Sequence, residues 1–301
     1  MSSKIDIIHH AGLISEDLGG VVAQYERLGF MFTPLSHVLI TISPGTDPVY
    51  IGLGNRNAIF ERNFLEVVGI PDPDIWAKFP LEKRGPFNID ERLKRYRGLH
   101  IMHFGTEDIE AVRAQYLAQS QPISEVARLQ RMVDTPDGER LMQARCIFYP
   151  LTANPEGLIQ VAQHVTPQYA LQPRYMSHLN GAKRLSEVIV CSDTPEQNAA
   201  KYSRYSGHAV TRRGDLHIVD LGHTRIITVD PSRLDKLVPG YPLHPTPFLA
   251  GFTVATADLA RARDHLVRQH VPFAELDGRL VVSPDNGCGS AVLFESLDAT
   301  R

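Results

Sequence analysis

Histidine is the notable residue of this 301-residue chain: there are 13, and several stand in short apolar stretches instead of polar loops. His9 and His10 follow Ile7-Ile8, and His100 and His103 lie within Leu99–Phe104. Glu66 sits in Phe64-Leu65-Glu66-Val67-Val68, where a buried carboxylate needs a partner. Gln160 has the matching place in Leu158-Ile159-Gln160-Val161-Ala162, and His164, four residues on, shares its strand face. Imidazole and carboxylate groups projecting inward from different strands are what a divalent metal requires. A lone strand histidine is more often a hydrogen-bonded core residue, and a lone strand Glu usually faces solvent. What favours metal is that these residues recur at equivalent places of a repeat.

The repeat is carried by helices. Glu16–Tyr25 reads EDLGGVVAQY and Glu107–Tyr116 reads EDIEAVRAQY, seven of ten positions matching, Leu18/Ile109 conservatively, at an offset of 91. Each copy opens on an acidic pair suited to a helix N-terminus, then carries apolar residues at helical spacing. A short strand precedes each helix, at 5–14 and 99–104, and β-rich sequence follows, ending at the Glu66 and Gln160 runs. Two weaker copies begin at Val188–Asp193 and Phe252–Asp258, lead into helical patterns over 195–206 and 259–270, and end in strands at 225–229 and 291–295. The fold class expected is α+β, with four βαβββ units paired into two barrel-like domains, 1–168 and 184–301, joined by a linker over 169–183. Each pair encloses a cleft suited to a ligand.

The offset aligns His100 with His9, and adjacent strand residues face opposite ways, so only one of His9 and His10 is expected to point inward. The segment 71–97, with Trp76, is long for a tight connection; a connector packed outside is expected over a lid.

Composition narrows the functional classes. Hydrophobic residues make up 43%, charged residues 22%, and net charge is -3, so no global field recommends nucleic acid or an anionic membrane as partner. Cys146, Cys191 and Cys288 are sparse and unpaired in spacing, against a disulfide framework or a thiolate zinc knuckle. No apolar run approaches a membrane span and no signal peptide is evident, so a cytoplasmic protein is expected, with a homodimer the candidate assembly.

His10-Ala-Gly-Leu-Ile-Ser-Glu-Asp17-Leu, Tyr25-Glu-Arg-Leu-Gly-Phe30, Thr33-Pro34 with His37, Gly52-Leu-Gly-Asn-Arg-Asn-Ala-Ile-Phe60 and Phe64-Leu-Glu66 resemble the glyoxalase-like branch of the vicinal oxygen chelate superfamily. Thr135-Pro-Asp-Gly138 and His178-Leu-Asn-Gly-Ala182 also resemble pieces of related proteins. The resemblance prefers His10 over His9. It implies metal ligation by His10, Glu66 and His100, with Gln160 fourth and His164 its substitute. It departs from glyoxalase I at Gln160, where a second Glu would be the base; Gln takes no proton, which leaves Glu66 for that role, with His37 a further catalytic candidate. Asn55, Arg56 and His103 are candidates for holding substrate. The implied cofactor is one divalent ion (Fe, Zn, Mn, Ni or Co), and the partner a small oxygenated substrate undergoing isomerase- or lyase-type chemistry through an enediolate or similar oxyanion. Two alternatives stand beside it: an iron-dependent ring-cleavage dioxygenase using the same ligands, and a metal-free small-molecule binder. Units three and four lack the ligand set, with Glu187 and Gly251 near the expected histidine positions and Glu295 remaining.

Overall fold

The computed structural model describes residues 4–40, 47, 49–80, 84 and 88–300. Four successive βαβββ units organise them. The first comprises β1 (Ile5–Ile14), α1 (Leu18–Arg27), β2 (Ser36–Ile40), β3 (Val49–Ile59) and β4 (Phe64–Gly69). The connector forms α2 (Pro73–Lys78) and α3 (Ile89–Leu93), and the second unit is β5 (Gly98–Thr106), α4 (Ile109–Ala118), β6 (Ala127–Val133), β7 (Arg140–Phe148) and β8 (Leu158–His164). After α5 (Pro167–Ala170) come β9 (Ala182–Cys191), α6 (Pro195–Ser206), β10 (Val210–Arg213), β11 (Leu216–Asp220) and β12 (Arg225–Val229). Helix α7 (Pro231–Leu237) precedes the last unit, β13 (Phe248–Thr256), α8 (Leu259–Arg268), β14 (Ala274–Leu276), β15 (Arg279–Val282) and β16 (Ala291–Ser296).

The local signals explain the helix starts. Asp17, Asp108 and Asp258 each cap a helix, accepting from the backbone N–H of Gly20, Ala111 and Arg261 at 2.8–3.1 Å. Helix α6 opens instead on Thr194-Pro195, with proline where a missing N–H costs nothing.

Units pair in order into two eight-stranded mixed sheets, β2-β3-β4-β1-β5-β8-β7-β6 and β10-β11-β12-β9-β13-β16-β15-β14. Edge strands β2 and β6 of the first come against each other, so that sheet is nearly a barrel. The sheets stand back to back. Their convex faces and the inner sides of α1, α4, α6 and α8 form one apolar cluster, from Ile8, Leu65 and Phe104 to Val188, Phe252 and Phe294. The repeat's matching tyrosines cross this seam: Tyr25 Oη donates to the Gly287 carbonyl at 3.0 Å and Tyr116 Oη to the Tyr205 carbonyl at 2.7 Å. Backbones also meet there. Gly98 (φ 129°) and Gly289 (φ 91°) approach so closely that a Cβ on either would strike the other segment's backbone.

The linker is pinned as well. His178 Nδ1 accepts from Met31 N–H at 3.0 Å, and its Nε2–H donates to the Ile59 carbonyl at 2.8 Å. The connector corrects the expectation of an outside position. Trp76 and Ile89 pack with Ile14, Ile51, Leu53, Val68, Ile101 and Leu158, closing one end of the first sheet's concave face. Arg84 fastens this closure, its guanidinium 4.0 Å above the Trp76 ring. Among the described residues no helix is long and apolar enough to cross a membrane.

Candidate functional site

The concave face of the first sheet holds a cavity of about 150 Å³ lined by His9, His10, Glu66, His103, Gln160 and His164 within apolar walls. Central strands supply the histidines. His10 on β1 lies opposite His103 on β5, and His103 lies beside Gln160 on β8. The register slips between Ile8 and His10, a bulge that brings both His9 and His10 to the cavity. The expectation that only one would point inward is thereby corrected.

Ring contacts knit the cluster. His10 lies 4.1 Å from His103 and His9 lies 4.2 Å from His164, centroid to centroid, while His10 stacks on Phe64 at 4.5 Å. His9 and His10 bring their Nδ1 atoms within 2.7 Å, one donating and one accepting. His10 Nε2 is 3.5 Å from Glu66 Oε2. The other carboxylate oxygen accepts from Asn55 Nδ2 at 2.6 Å, and Asn55 Oδ1 accepts from Arg131 Nη1 at 2.7 Å. Asn55 thus holds Glu66.

Burial dominates the electrostatics. It lowers His9 and His10 well below the usual histidine range, neighbouring imidazoles adding to the effect. It brings His103 to about 3 and His164 to about 4, Arg131 adding to the latter. Glu66 is raised by burial against the opposing effects of Asn55 and Arg131. Burial thus disfavours the imidazolium form of these histidines, and the neutral imidazole is the form that ligates metal.

Two placements differ from expectation. His100 occupies the opposite face of β5 from His103, with Nε2 at the Tyr96 carbonyl (2.9 Å) and its ring stacked on Tyr96 at 4.1 Å. It does not meet His10 or Glu66, and His103 stands in the position assigned to it. Arg56 also turns from the cavity: its Nε donates to the Thr33 carbonyl at 2.7 Å, because it alternates with inward-facing Asn55. His37 is exposed at the cavity mouth, against Tyr50 at 4.8 Å. Gln160 and His164 both face inward. Sequence reasoning missed Arg131, whose Nε has no hydrogen-bond partner and which lies between the cavity and an outer vestibule of about 550 Å³.

A metal fits the donor chemistry: both ring nitrogens of His103 and His164, and Nε2 of His9, are buried without hydrogen-bond partners beside one carboxylate. The imidazoles pack on one another, and among the described residues no three His, Cys, Asp or Glu converge in a metal-holding geometry.

Cys146 also lines the cavity, its thiol pushed up to about 12 by burial and by Glu66. Cys191 is likewise raised to about 12, and Cys288 to about 11. Because the thiolate is the nucleophile, iodoacetamide at pH 8 should modify the folded protein on the order of a hundredfold more slowly than the urea-unfolded chain. Mass spectrometry of the time course measures this; comparable rates would contradict the assigned environments.

Paired βαβββ units whose histidines and glutamate face a concave sheet define a protein of the vicinal oxygen chelate superfamily. Within it the chain belongs to the glyoxalase-like domain family, whose family model matches residues 8–206. No curated protein matches the chain. Among solved structures it resembles a hypothetical protein from Staphylococcus aureus at 12% identity and TM-score 0.64, with 96% of this chain and 99% of that one covered. It resembles a mutant of 4-hydroxymandelate synthase from Streptomyces coelicolor (12%, TM-score 0.54, 97% and 92% covered). The Mn(II)-bound glyoxalase from Novosphingobium aromaticivorans is similar over 100% and 87% of the two chains, at 12% identity and TM-score 0.51. Such likenesses speak to fold.

Proposed function

We propose that the first cleft is the active site of a divalent-metal enzyme acting on a small, largely apolar substrate with two neighbouring oxygens, by isomerase- or lyase-type proton transfer. The observation carrying this reading is that the buried ring nitrogens of His103 and His164, and Nε2 of His9, have no hydrogen-bond partner in the cavity they share with Glu66. His10, Glu66 and His103 would hold the ion, with His164 or Gln160 completing the set; the strand register sets His10 opposite His103. A bound metal would supply Lewis-acid polarisation of the substrate's oxygens.

The chain's own groups do the rest. Asn55, steadied by Arg131, fixes one oxygen of Glu66 and leaves the other toward His10. With His10 and His103 given to the metal, Glu66, its basicity raised by burial, and the imidazoles of His9 and His164 are groups in the cavity able to take a proton; Gln160 cannot. Leu129, Met142, Leu158 and the connector's Ile89 exclude water and favour an apolar substrate body.

Two histidines and one carboxylate also suit non-haem iron, so ring-cleavage oxygenation is the second reading. Elemental analysis after anaerobic purification, with Glu66→Gln and His103→Ala beside the parent, tests both. Stoichiometric metal in the parent and at least a tenfold weaker affinity in each variant is expected. Iron with oxygen uptake would move the assignment to oxygenase chemistry, and equal metal content in all three proteins would remove the metal reading.

A further inference from the structure

The concave face of the second sheet holds another cavity, about 230 Å³, that the proposed reaction leaves unused. Strand pairing puts it at the equivalent place. Glu187 lies beside Arg225, the first residue of β12, as His10 lies beside Phe64, the first of β4; Thr253 opposes Glu187 as His103 opposes His10. Glu187, Arg225 and Arg279 floor it, with Glu295 bound behind them. Arg279 bridges Glu187 (2.9 Å) and Glu295 (2.6 Å), and Arg225 bonds Glu187 at 2.7 Å. Thr253 Oγ1 and Ser186 Oγ donate to the two carboxylates at 2.8 and 2.7 Å. That floor is charge-balanced.

The mouth is not. Arg213 at the end of β10 and Arg233 and Lys236 on α7 line the same cavity, faced by Asp277 alone among the remaining carboxylates of the lining. Arg233, Lys236 and Leu237 stand at i, i+3 and i+4, which puts them on one side of α7. Among the described residues neither Arg213 nor Arg233 forms an ion pair. Arg233 Nε is moreover buried without a hydrogen-bond partner. Two guanidinium groups that line one cavity from separate elements can both donate to a single anion there. Leu216, Ile218 and Leu276 give the cavity apolar walls.

We propose that this second cleft binds a small organic oxyanion, a carboxylate or phosphate head on a short apolar body, with Arg213 and Arg233 reading the head. Planar forked donors suit such groups. The test is calorimetric titration of the full chain with phenyl phosphate and with benzoate, phenol serving as the neutral control. At least one anion should bind saturably, more weakly at higher salt. Arg213→Ala/Arg233→Ala should weaken it at least tenfold, while His10→Ala/Glu66→Gln should leave it unchanged. Arg213 is exposed and Arg233 half-buried, so their removal spares the core. Absence of saturable binding, an affinity that phenol matches, indifference to the arginine replacements, or loss in the His10/Glu66 variant instead would each overturn the proposal.

Discussion

Replacing Arg279 with Ala should destabilise the protein by about 3–5 kcal/mol, the usual consequence of stranding a buried charge. Glu187 and Glu295 are only 1% and 2% exposed, so water cannot substitute for the lost guanidinium. Arg225 remains on Glu187 at 2.7 Å but reaches Glu295 only at 3.5 Å, so the deficit falls mainly on Glu295. Burial and Glu187 already raise the pKa of Glu295, and Arg279 opposes them. Without Arg279 the folded-state value rises further above the unfolded one. A raised carboxyl contributes stability below its unfolded pKa and loses it as pH climbs through the folded value. The deficit relative to the parent should therefore be larger at pH 8 than at pH 5. Urea denaturation of both proteins at both pH values supplies the numbers; a difference under about 1 kcal/mol, or one indifferent to pH, would show that the floor does not bear charge as described.

Acid should unfold the metal-free protein early, between about pH 6.5 and 4.5. His178 and His100 are 2% and 1% exposed, and burial brings each to about 4. Protonating His178 would also turn the Nδ1 that accepts from Met31 into a donor facing a donor. A histidine lowered in the folded state leaves the unfolded chain binding more protons between the two pKa values. Stability is thus full above the unfolded value near 6.5 and falls as pH drops. By pH 4.5 the loss is roughly 2.5 kcal/mol for each such histidine, and His103 and His164 act in the same direction. Against an ordinary stability of about 5–15 kcal/mol this is large. Urea midpoints measured in half-unit steps should be flat from pH 8 to 7 and then decline. A flat profile down to pH 5 would mean these imidazoles already reach water.

Much of the architecture was legible because it repeats. The offset of 91 that matches the two sequence segments separates α1 from α4 exactly as it separates Leu18 from Ile109, and Pro195–Ser206 and Arg225–Val229 fall at the expected bounds. Strand faces were harder. Residues 98–106 are buried on both sides of β5 save for partial exposure at His103, so alternation carries no sign of which side is the cleft, and His100 was preferred to His103. The bulge after Ile8 breaks the two-residue period that set His9 against His10. Arg131 lies in an edge strand of alternating half-buried and exposed residues, ARLQRMV, which reads as an ordinary solvated edge; only the approach of β6 to β2 makes it part of the site. Asn55, expected to hold substrate, bonds Glu66.

The back-to-back cluster shared by the two sheets has a further meaning. Each half's inner face is completed by the other half, and Tyr25 and Tyr116 would lose their carbonyl acceptors if the halves parted. The shared cluster predicts a single unfolding transition for the two halves and their outward-facing bowls. Under that condition a ligand that binds either bowl stabilises both halves.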